Sequence, residues 1–322
     1  MLRRLVLASA LVFVSACGDD TPTWEVVQEE LPGALLAVWG TSSDDVWAVG
    51  ADARDGSGPM VIHREGDDWV RVETGQSAGT LWWIHGFEGG PIYMGGEGGM
   101  ILRYDGSTFE LMDTPSTSTV FGLWGASPSE MWAVGGSPSA EGFVWRLRGD
   151  TWEAETLPDE IATASAMWKV NGTSASDVWL VGENGVALRW DGSALTQEET
   201  GVGSSLFTVH QSGGRFVAVG GIANGVIVEL EDDGWHNVTP TGDLVPGLSG
   251  VCRGSGEFAV AVGLYGAVFT RGSDGWAEVD LGFYLDQNLH GAWIDPEGGV
   301  WAVGGQTLSP TLNEGVLIHR TN

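Results

Sequence analysis

A short phrase, Asp45-Val46-Trp47-Ala48-Val49-Gly50, returns in altered spelling along the whole 322-residue chain. It recurs at Ile92–Gly96, Met131–Gly135, Asp177–Gly182, Phe216–Gly220, Ala259–Gly263 and Val300–Gly304. The closing glycines follow one another at intervals of roughly 38 to 47 residues, the period of propeller blades. Each copy is an apolar run rich in Val and Trp that stops at Gly, which reads as a fully buried strand. A unit this short cannot bury its own apolar face, so its neighbours in the array must do it.

Each repeat divides into four short strands. The first is Leu35–Gly40, Phe121–Gly125 or Ser165–Lys169, and a polar turn such as Thr41–Asp44 leads from it into the phrase, which is the second strand. A glycine hairpin such as Gly182–Gly185 precedes the third, for example Val186–Trp190. Asp-Gly turns, clearest at Asp105-Gly106 and Asp191-Gly192, then lead to a fourth strand opening on Trp69, Phe109, Trp152, Leu195, Trp235 or Trp276. Seven copies of the first three strands thus share six fourth strands. The missing one stands at the other end, where Thr23–Val27 matches Trp69–Glu73. The expected fold is an all-β, seven-bladed β-propeller of four-stranded antiparallel blades over residues 23–322. The N-terminal strand completes the last blade, which removes the exposed sheet edge.

The seventeen tryptophans fall mostly at fixed repeat positions and read as packing between blades. Trp39, Trp124, Trp168 and Trp293 align at one place in the first strand. Cys252 takes that place in the sixth repeat and reads as a small buried hydrophobe. His85 and His210 take it in the second and fifth, too far apart on a ring to share a metal, whose ligands lie about 2 Å from it. His290 is a third inner-strand histidine with no evident partner. Trp82 and Trp83 stand where other repeats carry smaller residues and are expected near the central channel. The fifth and sixth copies have Val217 and Val260 in place of Trp or Tyr, and Glu229 and Thr270 in place of Arg or His. They are expected to keep their backbone and pack less well.

Charge and the N-terminus bear on location. The formal net charge is −29, and Lys169 is the single lysine. That balance excludes nucleic acid as a partner and opposes a peripheral grip on anionic headgroups. Arg3 and Arg4 precede an apolar stretch, Leu5–Val14, too short for an ordinary membrane span. Val14-Ser15-Ala16-Cys17 then resembles the bacterial lipobox. The resemblance implies a signal peptide over residues 1–16, cleavage before Cys17, and diacylglycerol plus an acyl chain such as palmitate on that cysteine. Several chains on one residue anchor stably. Residues 17–22 would be the lipidated cysteine and a short tether. The expected location is the cell envelope, at the outer membrane rather than the inner, facing periplasm or exterior. One cysteine, Cys252, remains beyond Cys17, so the mature chain forms no internal disulfide.

The repeat as a whole resembles the Asp-box (BNR-like) propeller repeats, including the seven-bladed photosystem-assembly-factor-like group. It is similar also to the tryptophan-rich repeats of bacterial lipoproteins. A strict S-x-D-x-G-x-x-W box is absent, and Ser273-Asp274-Gly275-Trp276 is a compressed echo of it. The resemblance implies a propeller and leaves activity open, since sialidases, receptors and assembly factors share the repeat. Sialidases bind a carboxylate with three arginines, and Arg103, Arg146 and Arg189 do form a column. Strand polarity instead sets Glu130 beside Arg146, Asp177 beside Arg189 and Asp45 beside His63, as pairs within blades. No His-Glu-x-x-His run or cysteine pair is present. Gly95–Gly99 reads as a hairpin, because no helix follows it. No catalytic residue, metal or cofactor is therefore assigned, although the carboxylate excess leaves calcium open.

The second-to-third and fourth-to-first connections vary in length and emerge on one face, where propellers usually bind. Asp52, Arg54, Asp55, Trp82, Glu97, Tyr265, Tyr284 and Asp286 are the candidate binding residues on that face. The reading is a non-enzymatic, lipid-anchored module for an unknown protein or glycan outside the cytoplasm. The alternative is a sialidase-like glycan hydrolase, for which Tyr265 and Tyr284 are the nucleophile candidates.

Overall fold

Seven sheets of four antiparallel strands form the chain, in the order first, second, third and fourth strand from innermost to outermost. The computed structural model describes residues 22–66, 68–137, 142–158, 161, 165–242 and 244–321. The signal sequence, Cys17 and nearly all of the tether lie outside the described residues, as do Asp67 of one turn and most of the Ser137–Glu141 loop. The innermost strands are Leu35–Ser42, Leu81–Gly86, Thr119–Ser127, Met167–Ser174, Leu206–Ser212, Leu248–Arg253 and Asn288–Ile294, for blades 1 to 7. The N-terminal strand Trp24–Leu31 is the outermost strand of blade 7, antiparallel to Asn313–Arg320 with Trp24 opposite Arg320 and Val26 opposite Ile318. The first and last strands therefore share one sheet, and the ring is closed.

One irregularity repeats in every blade. Pairing between the first and second strands slips by a residue at the same place, between Leu35 and Ala37 in blade 1 and between Leu289 and Gly291 in blade 7. Such a bulge takes one residue out of the in–out alternation and re-aims its side chain. The residue before the bulge pairs with the closing glycine of the phrase, Leu35 with Gly50 and Leu289 with Gly304. At these glycines a side-chain carbon would overlap a main-chain carbonyl oxygen, that of Ala34 at Gly50 and of Asn288 at Gly304. Close backbone approach, rather than turn conformation, is why the phrase ends in glycine.

Three positions after the bulge lies the residue that seals each blade to the next. Trp39, Trp124 and Trp293 press on Gly86, Gly172 and Gly40 of the following blades, where a methyl group would meet the indole. In blade 2 His85 Nε2 accepts the Gly125 N–H at 3.3 Å, and in blade 5 His210 Nδ1 accepts the Arg253 N–H at 3.0 Å. Cys252 fills the place in blade 6, where burial pushes its thiol up to about 12, as befits an inert core residue. Trp168 does not belong to this column. Asn171 pairs with Trp179 as Trp39 pairs with Trp47, so Asn171 holds the sealing place and Trp168 the bulge.

The second and third strands add a stacked pair. His63 lies on Trp47 and His319 on Trp301, with ring centroids 4.0 and 3.9 Å apart. The Arg146 guanidinium sits 4.5 Å from the Trp132 ring. Blades 5 and 6 lack the tryptophan and the cation together. They keep their backbone as expected, and Val217 and Val260 are fully buried. Glu229 takes over the joint: it accepts from Trp276 Nε1 at 2.9 Å and Arg271 Nε at 2.6 Å, with buried Arg253 at 3.6 Å. An ion cluster between the blades replaces an aromatic stack within each.

Candidate functional site

The bulge residues meet at the axis. Leu36, Trp82, Phe121, Trp168, Phe207, Ser249 and His290 occupy equivalent bulge positions, one from each blade. Five of them form an aromatic collar, with centroids 5.8 Å apart for His290 and Trp82, 5.3 Å for Trp82 and Phe121, 4.8 Å for Phe121 and Trp168, and 5.9 Å for Trp168 and Phe207. Leu36 is wholly buried and lies outside the collar, while Ser249 interrupts it. The first strand starts from the face that carries the long loops, so the collar opens there. Ile222, Leu264 and Leu308, from three of those loops, complete a cavity of about 480 Å³. That size suits a drug-sized molecule.

Beneath the collar lies Lys169. It follows the bulge, a position from which side chains reach the next blade: Trp83 Nε1 donates to Leu123 O at 2.9 Å and Thr208 Oγ1 to Ser249 O at 2.6 Å. Lys169 turns the other way. Its ammonium donates to Phe121 O of blade 3 at 2.7 Å and lies 4.4 Å from the Trp83 ring, which reaches forward from blade 2. Only 4% of the residue is exposed, and burial pushes its amine down to about 7. His290 donates from Nδ1 to Leu36 O at 2.7 Å; burial and then the Lys169 charge push it down to about 4.

The residues singled out from sequence fall into three groups. Trp82 and Glu97 stand at the mouth, Trp82 in the collar and Glu97 on its rim, accepting the Thr80 N–H at 3.1 Å. Tyr265, Tyr284 and Asp286 lie on blade 6, with both tyrosines bordering a shallow depression. Asp52, Arg54 and Asp55 belong to the blade 1 loop, and there both carboxylates shape turns. Asp52 accepts the N–H groups of Arg54 and Gly79 at 2.7 and 3.1 Å, and Asp55 accepts that of Ser57 at 2.9 Å. Sequence reading missed Phe121, Trp168, Phe207, His290 and Lys169. Their common signal is the place three before the sealing column, or the residue after it, which is visible only once the bulge is known.

The arginine column does not converge. The ion pairs of Arg103, Arg146 and Arg189 stay within their own blades, Arg189 with Asp177 at 3.3 Å and Arg103 with Glu110 at 3.5 Å, while the Arg146 guanidinium also lies 4.8 Å from the Trp190 ring of blade 4. Arg146 pairs at 3.5 Å with Glu155, just beyond the fourth strand, where Glu130 was expected, while Asp45 holds His63 at 2.8 Å as anticipated. Among the described residues one trio of carboxylate and imidazole groups comes close enough for a metal, Glu231, Asp233 and His236, all exposed in a blade 5 hairpin.

No protein-family model and no curated protein sequence matches the chain. Solved structures match throughout its length at low identity. A streptogramin B lyase is 13% identical over 93% of this chain and 98% of its own, with a TM-score of 0.75. YCF48 bound to a D1 peptide is 14% identical over 94% of this chain and 98% of its own, at 0.67. The WD40 propeller domain of Doa1 is 12% identical over 92% and 96%, at 0.65. These neighbours establish the propeller fold, which hosts enzymes and binding modules alike.

Proposed function

We propose that the protein is a non-enzymatic binding module, tied to a cell-envelope membrane by a lipid on Cys17, which takes a protein partner on its loop face. The placement of its exposed apolar side chains supports this. Ile222, Leu244, Tyr265, Tyr284 and Leu308 are between 68% and 89% exposed, and all sit in loops of that face over blades 5 to 7. Large apolar side chains exposed elsewhere, Val26, Val70 and Leu111, stand on outermost strands and show 39% to 54%. Apolar groups gathered on one rim of a strongly acidic protein mark an interaction site. Their apolar character favours a protein over a surface polymer, and the peptide held by YCF48 gives a precedent on this fold. The Asp105 and Asp191 hairpins favour descent from Asp-box-like repeats: each carboxylate gathers the N–H and hydroxyl of the serine two residues on.

The first described strand begins at the end of the propeller away from the loop face. Trp24, opposite Arg320, stands at the face of short turns. A tether of residues 18–23 spans at most roughly 20 Å, so a lipid on Cys17 turns the short-turn face to the membrane and presents the channel mouth outward.

A photo-crosslinking residue tests the surface. Placed at Tyr284 it gives a discrete adduct in intact envelope, whereas at Ser107, on the turn face, it gives none; adducts from Ser107 alone would overturn the reading. Tyr265→Asn provides a control for folding, because Tyr265 has φ +59 in the same turn where Asn184 has φ +57. The variant keeps the fold and weakens the Tyr284 adduct. Labelling with radioactive palmitate, expected in the wild type and lost in Cys17→Ser, tests the anchor separately.

A further inference from the structure

The channel mouth holds hydrogen-bond donors that the protein leaves without acceptors. Trp82 Nε1 and Trp168 Nε1, neighbours in the collar on either side of Phe121, are shielded from solvent and bond to nothing. Three other indoles share that condition, but Trp24, Trp152 and Trp235 stand on outermost strands, away from the axis. The Lys169 ammonium has three protons and one acceptor, the Phe121 carbonyl. Among the described residues no carboxylate pairs with it, and burial alone shifts its amine. A cation held in an apolar enclosure without a counter-charge is an expensive arrangement, which a buried ion normally escapes by pairing. The chain has 43 acidic residues and one lysine, yet among the described residues no carboxylate reaches that lysine. Its own column shows that the placement is not forced, since Trp83 and Thr208 satisfy themselves on the next blade.

From this we infer that the mouth binds a small aromatic carboxylate, with its acid group on Lys169 and its ring system within the collar. The reading takes the mouth from the proposed function and adds the ligand class. Each part of such a ligand has a counterpart. Trp82, Phe121, Trp168 and Phe207 offer faces and edges for a flat apolar body, and the favoured aromatic spacings of roughly 4.5 to 7 Å match those of the collar. The carboxylate supplies the missing charge and accepts from Lys169. A cavity of about 480 Å³ admits a fused-ring acid and no folded partner. His290 and Glu97 are the other titratable groups at the mouth. The first is held neutral, and the second ties down the Thr80 N–H on the rim and does not pair with Lys169.

Titration of the purified full chain with 2-naphthoate and with 2-naphthamide tests the inference, read by tryptophan fluorescence and calorimetry at pH 6.5. The acid is expected to bind at least tenfold more tightly than the amide. Lys169→Met removes that preference while leaving the weak amide affinity, and Trp82→Ala lowers affinity for both. Thermal unfolding without ligand checks that Lys169→Met is folded; the acid–amide contrast in the wild type needs no variant. Equal binding of acid and amide, lost in Trp82→Ala, overturns the carboxylate assignment and leaves the mouth as a site. Binding of neither, or binding of both unchanged in Trp82→Ala, overturns the mouth itself, while the Tyr284 adduct reports on the loop face independently.

Discussion

Gly304→Ala is expected to destabilise the protein by on the order of 3 to 5 kcal/mol, far beyond a surface change. Gly304 closes the phrase in blade 7 and pairs with Leu289 just before the bulge. Its φ does not lie in the left-handed region, so the backbone conformation alone would admit alanine. What forbids it is crowding: the new methyl group overlaps the Asn288 carbonyl oxygen, with Leu289 Cα close behind. Both atoms are main chain within the innermost strand, and no side chain can rotate to make room. Relief requires that the first and second strands part, in the blade that also carries the closing N-terminal strand. Gly203→Ala is the matched control, since nothing lies within 4 Å of its added carbon and its φ is not positive. Urea unfolding should separate the two variants clearly, and equal midpoints would remove the explanation for the repeat's glycine.

The second large effect is acid sensitivity well above the carboxylate range. His85 and His210 are each pushed down to about 4 from an ordinary 6.5, chiefly by burial. Their geometry gives the same direction, because a ring nitrogen that accepts a backbone N–H cannot also carry a proton. Each histidine is neutral when folded and free to protonate when unfolded below 6.5. The stability it contributes is therefore whole above pH 6.5 and is lost as pH falls towards 4. The slope is about 1.4 kcal/mol per pH unit for each histidine, and since the rings are half-buried, about 3 kcal/mol each is the upper bound. His290, down to about 4 as well, adds a third group. Stability measured between pH 6.5 and 5 is expected to fall steeply in the wild type. In His85→Gln with His210→Asn it falls much less, since Gln presents an acceptor where Nε2 stood and Asn where Nδ1 stood. Blade 4 already has Asn171 in that column. Identical pH profiles for the two proteins would exclude the histidine seals as the acid-labile joints.

Parts of the site could be read from the chain and parts could not. Trp82 is out of place for the repeat and does stand at the axis, whereas Trp83, expected there with it, lies after the bulge and reaches Leu123 O of the next blade. Glu97 reached the rim for a different reason, since it ties down the Thr80 N–H beside the collar. Trp168 shows the limit. Its type suits the sealing column, and only the pairing of Asn171 with Trp179 reveals that it belongs three places earlier. Glu229 shows another: it breaks the column of cations, and its compensation comes from Arg253 and Arg271 of the following blade, distant in sequence.

The sequence by itself determined the seven-fold count, the four strands per blade and the closure of the ring. These follow from short continuous apolar runs that end in glycine and from Asp-Gly turns, which are local, and from a spare strand at one end that matches a gap at the other. Only the tertiary structure decided what faces the axis. A one-residue bulge sets that direction in every blade, and it accepts Leu, Trp, Phe, Ser and His alike. It arises where seven backbones crowd around a channel, so residue type leaves no mark of it, and the unpaired amine of Lys169 stayed hidden for the same reason.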